Sequence, residues 1–189
     1  MPALDRADWE AAVLHLLDDT YVFAATGPRG HAEWRHDALS IMERSVVDPR
    51  GWMTLDWDKE NDQERTQYGP AFPFIYPTIE MLVDHLHEIT SHSAVELLVA
   101  MMDDWFGVKH IPGFTDRKEQ LLADARTVTS RYGSRSSCYT TSILARTTKS
   151  PDFFQKESGG VSFTDYTLDL GLIIVSESEV GVFWAFNPI

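Results

Sequence analysis

Apolar residues recur at helical spacing through most of the first two thirds of the chain and crowd into β-branched and aromatic runs in the last third. In "LDRADWEAAVLHLLDD", Trp9, Ala12, Val13, Leu16 and Leu17 fall on one stripe of a helix that Asp5 can cap. His15 lies off that stripe and is expected at the surface. "YVFAAT" (21–26) is short, apolar and partly β-branched, which predicts a strand, and "GPRG" turns the chain after it. Within 31–47, Trp34, Ala38, Ile41, Met42 and Ser45 have helical spacing, and "DPRG" closes the segment. "WMTLDW" (52–57) alternates and predicts a strand. "YGPAFPFIYP" (68–77) sets three prolines among aromatics. Proline there excludes a helix interior or a central strand, so this is an extended connection held by aromatic packing.

Three helices follow. Ile79, Leu82, Val83, Leu86 and Ile89 make the stripe of one over 78–90. The next, over 93–106, opens with "SAVE", in which Ser93 and Glu96 form a capping box, and Gly107 ends it. Its stripe of Val95, Leu98, Val99, Met102, Trp105 and Phe106 is widened by Leu97 and Met101, so it reads as mostly buried. The third, over 116–132, starts after Thr115, buries Leu121, Leu122, Ala125, Val128 and Tyr132, and stops at Gly133. Strands are predicted in 136–147, 160–168, 170–176 and 180–186, the last two joined as a hairpin by "SESE". Helices first and strands afterwards predict one α+β domain over 1–189, an N-terminal helical portion with a C-terminal antiparallel sheet.

Composition narrows the class of function. The formal net charge is -13, which repels nucleic acid and anionic lipid and suits a basic protein as partner. The charge is uneven: 20 acidic against 8 basic residues in 1–114, 3 against 7 in 115–150, and 6 against 1 in 151–189. The basic middle segment can pair with the acidic ones inside the fold or between copies. Cys138 is alone, which fits a reducing cytoplasm, and its strand context predicts a buried, inert thiol. The N-terminus does not read as a signal peptide, and no apolar run approaches the roughly 18 residues of a membrane span.

Two stretches carry candidate chemistry. "HLHEITSH" holds His85, His87, Glu88 and His92. The zincin pattern needs His residues four apart, and Ser91 stands where the second should be. On a helix His85 and His87 point about 160° apart, and His85 and His92 sit roughly 10 Å apart along the axis, too far for one ion. On a strand His85 and His87 would share a face. "LDWDKENDQE" places Asp56, Asp58, Glu60, Asp62 and Glu64 at alternate positions. An EF-hand started at Asp56 would need Gly and Glu where Asn61 and Gln67 stand, and one started at Asp58 fails likewise. A helix lacks apolar support from Asp58 to Gln67. As a strand the five carboxylates would line one face about 7 Å apart, repelling by roughly 0.6 kcal/mol per neighbouring pair in water. A cationic partner would relieve that repulsion, and the nearby Trp52 and Trp57 are side chains that interfaces favour.

No phosphate loop, dinucleotide fingerprint or nucleophile elbow is present, so neither a catalytic residue nor a cofactor or metal is assigned. The leading expectation is a cytoplasmic protein that neutralises or regulates a basic partner through Trp52, Asp56, Trp57, Asp58, Glu60, Asp62 and Glu64. In size and acidity it is similar in character to the immunity proteins of bacterial toxin systems, which implies a toxin-like partner, steric occlusion and electrostatic steering. The alternatives are a hydrolase using His85, His87 or Glu88, and a subunit of a larger assembly using the aromatic connection and the basic 115–150 segment.

Overall fold

"SESE" does turn a hairpin. β5 (Leu168–Val175) and β6 (Glu179–Asn187) pair antiparallel in register from Leu168↔Asn187 to Val175↔Val180. The computed structural model describes residues 3–18, 20–61 and 68–189. Around the hairpin, β1 (Val22–Pro28) pairs with β6, and β4 (Ser137–Thr140) pairs with β5. Two short strands finish the edges, β2 (Leu55–Asp56) beside β1 and β3 (His87–Ile89) beside β4. The result is an antiparallel sheet in the order β2-β1-β6-β5-β4-β3. The fold is α+β, with the helices mostly N-terminal and the sheet mostly C-terminal.

Both faces of the sheet are covered, which is why β5 and β6 read as unbroken apolar runs. Leu170, Leu172, Ile174, Phe183 and Ala185 face one core, closed by α1 (Arg6–Leu17), α5 (Ser91–Ala100) and α6 (Phe114–Ser130). Ile173, Val175, Val182, Trp184 and Phe186 face the other, closed by α2 (Arg35–Met42) and α4 (Ile79–His85) together with Phe74 and Phe163. Gly171 admits the Trp184 indole, since a Cβ there would lie 2.5 Å from the ring.

The stripes of α1 and α6 are buried as the spacing predicts. Other expectations need correction. The helix predicted over 78–90 ends at His85, and β3 follows. Leu82 and Leu86 enter the second core while Ile89 enters the first, on the far side of the sheet. One helix face cannot reach both sides, so pairing with β4 replaces the last turn. Val83 is left exposed. α5 is capped by Thr90, whose Oγ1 accepts from the Ser93 N–H at 3.2 Å, and the Ser93 hydroxyl donates to the Pro151 carbonyl instead. It ends at Ala100 because Asp103 Oδ2 accepts from Trp105 and Gly107 N–H, turning the chain and leaving Trp105 in solvent. Residues 160–167 make isolated bridges rather than a strand. The buried Asp169 carboxylate takes the N–H groups of Phe163 and Thr164, the Thr164 hydroxyl and the Trp184 indole N–H, so a side chain replaces a ladder.

The basic middle segment pairs inside the fold. Arg131, with a fully buried side chain, bonds Asp48 at 2.7 and 2.9 Å and Glu179 at 2.8 Å, joining the basic segment to both acidic ones.

Candidate partner-binding surface

Among the described residues, the first two carboxylates of the acidic stretch, Asp56 and Asp58, are buried rather than solvated. Among the described residues of the stretch only Leu55 and Asp56 are extended, and α3 (Trp57–Asn61) begins at once because Asp56 Oδ1 accepts from the Lys59 N–H at 3.2 Å, as a helix N-cap does. This corrects the expectation that no helix forms there. Asp56 is buried and paired with Arg44 at 2.5 and 2.8 Å. Asp58 is buried and accepts from the Tyr166 hydroxyl at 2.6 Å. Trp57 packs edge-on to Tyr21 at 4.8 Å, and Trp52 lies 5.4 Å from Trp9. Glu60 falls within α3 by its backbone, and Asp62 and Glu64 lie outside the described residues.

What Asp56 and Asp58 do is support the aromatic connection 68–77. Arg44, held by Asp56, donates to the Pro70 carbonyl at 2.7 Å. Tyr166, bonded to Asp58, stacks on Phe186 at 4.6 Å and lies 6.5 Å from Phe72, which stacks on Tyr68 at 4.8 Å. Phe74 is buried edge-on against Phe23 and Trp184. The Ile75 N–H donates to the Phe163 carbonyl at 2.8 Å, and Pro73 accepts from the Asp165 N–H at 3.2 Å. The connection is therefore a ledge clamped to the sheet at several points.

Its outer side is apolar and open. Tyr76 is 87% exposed with φ +43°, a left-handed conformation that costs an ordinary residue about 1–2 kcal/mol. Tyr68 and Ile75 are also exposed. They border a cleft of about 550 Å³ lined further by Phe72, Glu43 and Asp165. Among the described residues no Lys or Arg lines it. Exposed aromatics with carboxylates at the edge offer a cation both a ring face and a counter-charge.

No protein-family model, curated protein or solved structure matches the chain. What the surface does follows from its chemistry.

The other candidates lie elsewhere. His85 ends α4 with its ring 6.2 Å from Phe163, and His87 sits on β3 opposite Thr140. Burial, then Arg146 and His85, lower the His87 pKa from its ordinary value. Glu88 pairs with Lys149. Among the described residues no three His, Cys, Asp or Glu side chains converge as a metal-ion set. Cys138 is buried, and burial pushes its thiol up to about 12. One contact is invisible in sequence: His15 Nδ1 lies 2.5 Å from Asp124, and Arg117 Nη2 lies 3.2 Å from His15 Nε2. The nitrogen that a general base would use thus already faces a guanidinium donor. Among the described residues no helix is long and apolar enough to cross a membrane.

Proposed function

We propose that the protein is an acidic binding module of the cytoplasm that neutralises or regulates a basic protein, in the manner of an immunity protein, by covering a working surface of its partner. The observation that carries this reading is the ledge: Tyr76 stands 87% exposed on a clamped, left-handed backbone at a cleft edged by Glu43 and Asp165. The backbone beside Tyr76 is held by the Ile75 N–H on the Phe163 carbonyl, so that segment needs little ordering on binding, and an exposed tyrosine is a side chain that interfaces use as an anchor. The net charge of -13 adds long-range steering, so association is fast at low salt and slows as salt rises. The first two carboxylates of the acidic stretch act one step back, by holding the ledge. The single, buried Cys138 fits a reducing compartment.

A photo-crosslinking residue placed at Tyr76, with Lys118 as the control position, tests the reading in the producing cells. The expected product is a protein of pI above about 9 crosslinked from position 76 and not from 118. Encoding of that protein beside this one would fit a toxin and its neutraliser. Identical products from both positions, or an acidic product at 76, would reject it.

A further inference from the structure

Among the described residues, four arginines are held in one way, by an aromatic face and a carboxylate together. Arg131 lies 5.0 Å from the Trp9 ring centroid and 4.8 Å from that of Trp52, and bonds Asp48 and Glu179. Arg50 lies 4.9 Å from Trp52 and bonds Glu179. Arg44 lies 5.0 Å from Phe23 and bonds Asp56. Arg35 lies 4.5 Å from Trp34 and bonds Glu33. The arrangement answers guanidinium chemistry. A planar cation stacks on a ring while its forked N–H groups reach a carboxylate in the same plane, which a tetrahedral ammonium cannot do.

The ledge offers the same two components without a described cation lining it. The stacked pair of Tyr68 and Phe72 leaves Tyr68 exposed, and Tyr76, Glu43 and Asp165 line the same cleft. Arg44 touches the ledge through Pro70, but its fork is already bonded to Asp56. We infer that the ledge reads arginine: it takes a guanidinium from an extended, arginine-bearing segment of the partner, stacked on Tyr68 or Tyr76 and bonded to Glu43 or Asp165. This rests on the binding role above and gives it a chemistry. The cleft volume of about 550 Å³ falls in the range of clefts that hold a small organic group such as an arginine side chain.

The test uses the full chain, isotopically labelled, titrated with a capped pentapeptide alternating glycine and arginine. Two matched peptides carry lysine or the uncharged citrulline in place of arginine. The arginine peptide is expected to shift the amides of Ile75, Tyr76 and Thr78 and to bind about 3–5-fold more tightly than the lysine peptide, with the citrulline peptide silent. Tyr76→Ala and the pair Glu43→Gln with Asp165→Asn should each weaken binding while leaving the thermal midpoint unchanged, because all three side chains are exposed. Equal affinity for the arginine and lysine peptides, with shifts scattered over the acidic surface, would overturn the inference. So would binding seen only in Arg65→Ala, since the chain's own arginine, outside the described residues, would then be the occupant. If a basic protein crosslinks at position 76 and depends on Tyr76 while the peptides leave the ledge untouched, arginine reading fails and the binding role survives. Peptide binding at the ledge without any such protein supports the site chemistry and removes the neutralising role.

Discussion

Replacing Arg131 with Met probes the device on which the ledge inference depends. The guanidinium is wholly buried between Trp9 and Trp52 and bonds Asp48 twice and Glu179 once at 2.9 Å or less. Desolvation works against its charge, but the bonds to Asp48 and Glu179 outweigh that and raise its pKa, so it stays cationic throughout the working range. Methionine still fills the space between the indoles, and Glu179 keeps Arg50 at 2.9 and 3.0 Å. Asp48 fares worse. Its buried carboxylate keeps one backbone N–H, that of Arg50, at 2.7 Å and loses its cation. Stranding one partner of a buried pair costs about 3–5 kcal/mol. For a chain of this length that lowers the thermal midpoint by about 6–20 °C. Urea unfolding followed by tryptophan emission reads it directly, because Trp9 and Trp52 flank the site. Adding Asp48→Asn to Arg131→Met should restore part of the loss by removing the stranded charge. A loss below about 1 kcal/mol, or no recovery in the double variant, would show that the cage carries little energy.

Asp169 gives a pH signature. Burial pushes its carboxyl above the ordinary 3.8, against the hydrogen bonds from Thr164, Trp184 and Phe163. Between the unfolded and folded values the native state holds more protons, so this group's contribution to stability falls as pH rises through that window. Urea midpoints of wild type relative to Asp169→Asn should therefore show the largest wild-type advantage at the acid end, and an advantage that grows with pH would contradict the assignment. Leu98 is fully buried on α5, and Leu98→Ala should cost about 2–5 kcal/mol in the same urea assay; an unchanged midpoint would mean that the side chain is not in the core. Cys138, with its thiol raised to about 12 by burial, should react with a disulfide reagent only at the rate of unfolding, and rapid labelling of native protein at neutral pH would refute its burial.

Local signals sufficed where one element buries one stripe. Trp9, Ala12, Val13, Leu16 and Leu17 enter the first core, with α1 packed on α6, and their spacing alone reveals that face. They failed where pairing partners distant in sequence decide the matter. Residues 87–89 become a strand because 138–140 lie beside them, and Ile89 must reach the opposite core from Leu86. The first two carboxylates of the acidic stretch misled for a related reason. Alternating carboxylates look like a solvated row until Arg44 and Tyr166, 12 and 108 residues away, draw Asp56 and Asp58 inward. The ledge itself was legible as an extended aromatic connection, since its prolines exclude helix and ladder. The outward Tyr76, on which the proposed role rests, has a φ of +43° and follows Ile75, whose N–H bonds the distant Phe163 carbonyl, and it has no signal in sequence.

The most direct measurement is the affinity of wild type and Tyr76→Ala for the basic protein that crosslinks at position 76, with on- and off-rates resolved at low and high salt. An anchor residue removed from the centre of an interface costs at least about 2 kcal/mol, so the variant should bind about 30-fold more weakly, almost wholly through faster dissociation. The association rate should stay near wild type in the variant and fall with salt in both proteins, because steering comes from the net charge rather than from the ring. Unchanged affinity in Tyr76→Ala would contradict the account, since the ledge would then not be where the partner binds.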